Sequence, residues 1–244
     1  MDGGEAAAPL MDLDTLRSEL RSMADPEVAA FLQRFFKTGP GEYGEGDRFL
    51  GVRVPQVRRL ARKARFLPLD DILELLQSPW HEERLLALIL LVDCYQRAAL
   101  LERDTIFRFY LQNTRFINNW DLVDASAEHI VGAHTDPTDT SLLEGLARSD
   151  VLWERRIAMM ATFYWIKQRD FGPALSIAEL LLDDEHDLIH KAVGWMLREV
   201  GKRDIETEEK FLRKHYRSMP RTMLRYAIER FPPESRRAYL CGEV

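Results

Sequence analysis

Trp120 and Asp124 stand four residues apart in the segment NTRFINNWDLVDASAEHI. On a helix that spacing sets an indole and a carboxylate side by side on one face. The pair suits a cationic ligand, because the ring face attracts positive charge and the carboxylate stabilises it electrostatically. Each also has an ordinary alternative, a core anchor for the tryptophan and a cap or surface ion pair for the aspartate. Asp121 points elsewhere and suits the N-terminal end of the helix, together with Asn118 or Asn119. Downstream, VLWERRIA carries Arg155 and Arg156, one of which can face the same ligand or else make a structural ion pair. HKAVGWMLRE then offers Trp195, with Lys191 one turn before it and Arg198 nearly one turn after. Gly194 beside it points to close helix packing.

Other chemistries find no motif. The histidines form no HExxH, and His186 and His190, at i and i+4, lack a third ligand. Glycine patterns for dinucleotides or a P-loop are absent, as is GxSxG. No metal, nucleotide or other cofactor is therefore expected. The two cysteines, Cys94 and Cys241, are far apart, which argues against a disulfide framework and for a reducing compartment. The expected location is the cytoplasm, on the bacterial nucleoid when DNA is bound. The start, MDGGEAAAPL, lacks the positive charge of a signal peptide, and residues 1–10 read as a flexible tail. The longest apolar run, Leu85–Val92, is too short to span a bilayer.

These residues need elements to hold them. Apolar residues recur at helical spacing through most of the chain, and glycine and proline fall between the periodic segments. The fold class expected is all-α. A first helix runs from Leu13 to near Lys37, with a break at Pro26, and TGPGEYGEGD forms the first loop. Pro55 in FLGVRVPQVRRLARKA suits the first turn of a helix. Longer helices are expected over Trp120–Val131 and Leu152–Lys167. Short polar turns, a marker residue and an apolar helix recur at Arg84, Asp121, Arg156, Lys191 and Arg225, spaced by 37, 35, 35 and 34 residues. That period is close to HEAT-type helical hairpins. A helix pair cannot bury its apolar face alone, so such hairpins stack, here into a curved α-solenoid over 11–244 as one domain. Stacking would bring Trp120, Asp124, Arg156 and Trp195 onto one inner surface.

The net charge of −6 argues against a protein that coats nucleic acid globally, but the charge is uneven. Between residues 45 and 69, Arg48, Arg53, Arg58, Arg59, Arg62, Lys63 and Arg65 face only Glu45 and Asp47. Arg58, Arg62 and Arg65 share one helix face, and Arg59 and Lys63 form an adjacent stripe. A second stretch, 191–236, holds twelve Lys and Arg against seven Asp and Glu. Two basic regions on an acidic protein suit a polyanion gathered in a local groove. An ordinary solvated surface accounts for the same residues.

FLGVRVPQVRRLARK, NNWDLVD, WERRIA and KAVGWMLREVGK, in this order, resemble the AlkD-like DNA alkylation repair proteins, monofunctional DNA glycosylases built from HEAT-like repeats. The resemblance runs from about Val28 to Phe231. It implies a concave face that holds duplex DNA and hydrolysis of the N-glycosidic bond of cationic alkylated purines such as 7-methylguanine or 3-methyladenine. By the resemblance, Asp124 stabilises charge on the deoxyribose and positions a water, Arg156 holds the adjacent phosphate, and Trp120 is the third catalytic residue. Trp195 and Phe35 cradle the lesion, and Arg53, Arg58, Arg59, Arg62, Lys63, Lys191 and Arg198 contact DNA. A base already cationic is a good leaving group, so no strong acid is needed, and Asp124 is expected to stay ionised. No lysine adjoins Asp124, so lyase chemistry has no local support. An open groove needs no partner subunit, and a monomer is expected. The chain departs from the family pattern where Phe35 replaces a tyrosine, Arg53 a glutamine and Asn119 a tryptophan. A non-catalytic duplex-binding repeat protein and a protein-interaction scaffold are the competing readings.

Overall fold

The computed structural model describes residues 11–244, and the tail expected over 1–10 lies outside them. The described chain is all-helical, apart from one isolated bridge between Arg48 and Trp80. It divides into two compact units, one running to Ile106 and including Arg115–Leu122, the other made of Phe107–Thr114 and Val123–Val244.

The first unit begins with α1 (Leu13–Ser22) and α2 (Pro26–Phe35). The break expected at Pro26 is real: the Asp25 carboxylate caps α2 by accepting from the amides of Glu27 and Val28. After the loop come α3 (Val54–Lys63), α4 (Leu69–Leu76) and α5 (His81–Arg97). Pro55 occupies the first turn of α3, as its sequence suggested. Helix α4 packs on α5, α3 on α5, and α1 on α3. Leu16 and Leu20, Val57 and Leu60, Ile72 and Leu75, and Leu86, Leu90 and Leu91 form the core. Helix α5 is buried all round over His81–Leu88, so its first turn places His81, Glu82, Glu83 and Arg84 inside the protein. Charges so placed must be paired. Glu83 takes Arg17 and Arg21 of α1, and the others build the site below.

Helices α6 (Leu100–Gln112) and α7 (Trp120–Asp124) contain the boundaries between the units. The helix expected over Trp120–Val131 ends after five residues, and a wider π turn follows at Glu128–Gly132. The second unit continues with α8 (Ser141–Ala147), α9 (Leu152–Ala161), α10 (Phe163–Lys167), α11 (Gly172–Leu180), α12 (Asp187–Gly201), α13 (Ile205–His215), α14 (Arg221–Ala227) and α15 (Pro233–Cys241). The single helix expected over Leu152–Lys167 breaks at Thr162, whose hydroxyl donates to the Met159 carbonyl at 2.7 Å and competes with the helix ladder. Helix α8 pairs with α9 and α11 with α12, while α9 packs on α12 and α12 on α14. The basic markers keep register: Arg84 is the fourth residue of α5, and Arg156, Lys191 and Arg225 are the fifth of α9, α12 and α14.

Two glycines set the spacing inside this unit. A Cβ on Gly132 would lie under 3.0 Å from the Ala161 carbonyl and from Cβ of Tyr164. One on Gly194 would lie under 3.0 Å from the Met223 carbonyl and from Cβ of Tyr226. Each glycine thus meets a carbonyl 29 residues on and a tyrosine 32 residues on. Among the described residues no helix is long and apolar enough to cross a membrane.

Candidate functional site

In the first unit, α2, the start of α3, the first turn of α5 and the start of α7 enclose an open groove of about 850 Å³. Its walls are Phe31, Phe35, Phe36 and Trp120, with Arg53, Val54 and Pro55 at one side and His81, Glu82 and Asp121 below. Phe31 and Phe35, one helical turn apart, are 56% and 52% exposed although large and apolar. The rings form a ladder. Phe31 stacks on Phe35 with centroids 6.0 Å apart, Phe35 meets Trp120 edge-on at 6.0 Å, and Trp120 stacks on Phe36 at 5.2 Å. Trp120 and Phe35, singled out from sequence, are therefore together.

A buried polar network carries this ladder. The His81 ring, 2% exposed, lies between Phe49 and Phe36, with centroids at 4.5 and 5.0 Å. Its Nδ1 is 3.0 Å from Oδ2 of Asp47 and its Nε2 is 2.8 Å from Oδ2 of Asp121. Both ring nitrogens face carboxylates, so both donate and the ring is an imidazolium. Burial alone would lower its pKa, but Asp121 and then Asp47, by charge and hydrogen bonding, push it up to about 9. Burial raises the Asp47 pKa, yet the His81 hydrogen bond and the Arg84 charge outweigh it and hold the carboxyl below its ordinary value. Asp47 also pairs with Arg84 and accepts from Nδ2 of Asn119 at 3.1 Å. The Asn119 Oδ1 accepts the Trp120 amide at 2.9 Å. Asp121, expected near a cap, is instead the partner of His81. Glu82 accepts from the amides of Leu50, Gly51 and Val52 at 2.9, 2.8 and 3.2 Å. That carboxylate fixes the strand of chain that delivers Arg53 to the groove, where Gly51 has φ +86°.

In the second unit, Arg156 of α9 grips Asp124 of α7 with both arms. Its Nε donates to Oδ1 at 2.9 Å and one terminal nitrogen to Oδ2 at 2.8 Å. Its other terminal nitrogen donates to the Leu188 carbonyl at 2.6 Å. Arg155, the alternative, turns to Asp184 at 2.6 Å. Trp195 is half-buried beside Phe163, and its Nε1 donates to Glu199 at 3.1 Å. Lys191 pairs with Asp187 at 2.7 Å. Arg198 turns inward to Glu229, and its Nε is buried with no partner, so it presents no surface cation.

The basic face of α3 is exposed opposite its buried Val57, Leu60 and Ala61. Arg58 and Arg62 line a cleft with Arg65, Ile89 and Asp93. Lys63 bonds Glu19 at 2.5 Å. Among the described residues no group of three or more His, Cys, Asp or Glu is arranged to hold a metal ion. Sequence reading overlooked His81, Asp47, Glu82, Phe36 and Phe31. The signals were present: HEER opens an otherwise apolar helix, and Phe31 and Phe35 share one helical face.

Residues 16–231 match the family model described as DNA alkylation repair enzyme. No curated protein matches. Among solved structures, one described as a predicted DNA alkylation repair enzyme from Enterococcus faecalis is similar, with a TM-score of 0.65 and 18% identity over 86% of this chain and 98% of that one. AlkD2 from Streptococcus mutans is similar with a TM-score of 0.55 and 16% identity, over 91% and 97% of the two chains. At these identities the likeness is one of fold.

Proposed function

The chain belongs to the DNA alkylation repair enzyme family, and from that premise we propose that it is a monofunctional DNA glycosylase acting on cationic alkylated purines in duplex DNA. The observation that carries the reading is the bidentate bond between Arg156 and Asp124. Three of the five guanidinium N–H groups are engaged, by Asp124 and the Leu188 carbonyl. The remaining two can meet a phosphate oxygen while the carboxylate stays oriented. Asp124 stabilises the positive charge that grows on the deoxyribose as the bond to the base breaks, and it orients the attacking water. Trp120, with Phe35 and Phe36 behind it, presents an aromatic face to a cationic base. Trp195 serves the same chemistry from the second unit. Arg53, Arg58, Arg59, Arg62 and Lys63 supply charge for the DNA backbone. Water ends as the hydroxyl on the abasic sugar and the base leaves free, so no cofactor is consumed.

The test is release of 7-methylguanine from methylated duplex by the purified protein. Asp124→Asn keeps the shape and removes the charge, and it is expected to lower turnover by about 10²–10³-fold, the range for one electrostatic stabiliser. Salt-dependent duplex binding without base release would refute the enzymatic reading and leave a DNA-binding protein.

A further inference from the structure

We propose that His81 is a positioning residue whose ring, clamped between Asp47 and Asp121, holds Trp120 in its working orientation. The inference rests on the glycosylase reading for its effect on turnover, but not for its effect on the indole. Two routes join the imidazolium to Trp120. One is covalent and polar: His81 binds Asp121, the next residue in the chain, while Asp47 binds Asn119, the preceding one. The other is through rings: His81 lies against Phe36, and Phe36 stacks on Trp120 with an interplanar angle of 19°. The three consecutive residues 119–121 are thus pinned on both flanks by groups that converge on one buried proton pair. Without that charge, Asp47 keeps Arg84 and Asn119. Asp121 loses its partner at 2.8 Å, and its second oxygen is already buried with none. An unpaired buried carboxylate is costly, so residue 121 would move toward water and carry the indole with it.

The charged groups that face His81 are Asp47 from the loop and Asp121 from α7. On α5 itself Arg84 shares Asp47, and the Glu82 carboxylate is turned to the amides of residues 50–52. Phe36 and Phe49 contribute only ring faces. The proton therefore stays through neutral pH and leaves as pH rises through about 9. Turnover is expected to fall over that interval by up to about 100-fold, the cost of a misplaced reacting group, with duplex affinity unchanged.

The whole protein labelled with 5-fluorotryptophan tests this without relying on catalysis, with the Trp120 line assigned from Trp120→Phe. The Trp120 line is expected to shift with a midpoint near pH 9 while the lines of Trp153, Trp165 and Trp195 stay put. In Asp121→Asn the midpoint moves to lower pH, because the strongest partner holding the proton is gone. His81→Gln is expected to fix the line at its high-pH position and to reduce turnover while DNA binding is retained. A Trp120 line that ignores the His81 titration overturns the proposal. So does a folded His81→Gln with full turnover, or a collapse of all the lines together. If the wild-type protein releases no base but its Trp120 line follows the proton, the glycosylase reading fails and the coupling stands.

Discussion

Glu82→Gln isolates one buried carboxylate and changes almost nothing else. The Glu82 Oε1 accepts from Gly51 and Val52, and its Oε2 accepts from Leu50. Glutamine can place its oxygen at the Oε1 position and keep two of these bonds, now neutral. Its amide then points N–H at the Leu50 N–H, and that bond is lost. Losing one hydrogen bond to a charged group costs about 1.5–3 kcal/mol. Turning two more from charged to neutral roughly halves them. The sum is about 3–5 kcal/mol, set against a total stability of about 5–15 kcal/mol for an ordinary domain. For a chain of this length each kcal/mol moves the melting temperature by about 2–4 °C, so a fall of roughly 6–20 °C is expected. Thermal melting followed by circular dichroism reads the global effect, and amide hydrogen exchange at Leu50, Gly51 and Val52 reads the local one. A variant that melts with the wild type and keeps the Leu50 amide protected would refute the assignment of this loop's order to Glu82. Because Arg53, Val54 and Pro55 follow directly and line the groove, a loosened loop should also weaken duplex binding.

Two further outcomes are open to measurement. Glu208 is buried on α13, with Oε1 unpartnered, and burial pushes its pKa up to about 8 despite the nearby Arg198 charge. The folded state then holds a proton that the unfolded chain releases near its model value of 4.5, so stability falls as pH rises from there to about 8 and levels off above. Glu208→Gln should remove that slope and raise the melting temperature at pH 8. An unchanged pH–stability curve would mean the carboxyl is solvated. On the DNA side, Arg58→Gln with Arg62→Gln should lower the slope of log affinity against log salt by about 2, with the melting temperature unaltered. An unchanged slope would remove the α3 face from the interface.

Local pattern carried the sequence reading as far as local physics decides structure. Trp120 and Asp124 at helical spacing do begin and end one helix. Asp25 and Pro26 do start another. The marker register at Arg84, Arg156, Lys191 and Arg225 survives in the helices. Even the choice between Arg155 and Arg156 was framed, although only the fold decides that Arg156 meets Asp124 and Arg155 meets Asp184. Long-range pairing was not legible. His81 finds Asp47 and Asp121 at separations of 34 and 40 residues, and Glu82 finds its amides about 30 residues away. Nothing in HEER distinguishes a solvated first turn from a buried one until α5 is known to be enclosed on every side. Arg198 erred the other way: a basic residue near a tryptophan looked like a DNA contact, and Glu229 takes it.

The two glycine contacts of the second unit also bear on mechanics. Gly132 and Gly194 meet their neighbours with backbone and Cβ atoms, at the same offsets of 29 and 32 residues. No side chain intervenes that could switch rotamer, so neither joint can take up strain by repacking. Asp124 lies before the first joint and Arg156 on the helix after it, and their bonds of 2.8–2.9 Å depend on that joint holding its spacing. The hinge-free contact acts as a fixed gauge block between the two halves of an ion pair. A single methyl group at residue 132, far from any ligand, would therefore detune the pair as surely as a change in either partner.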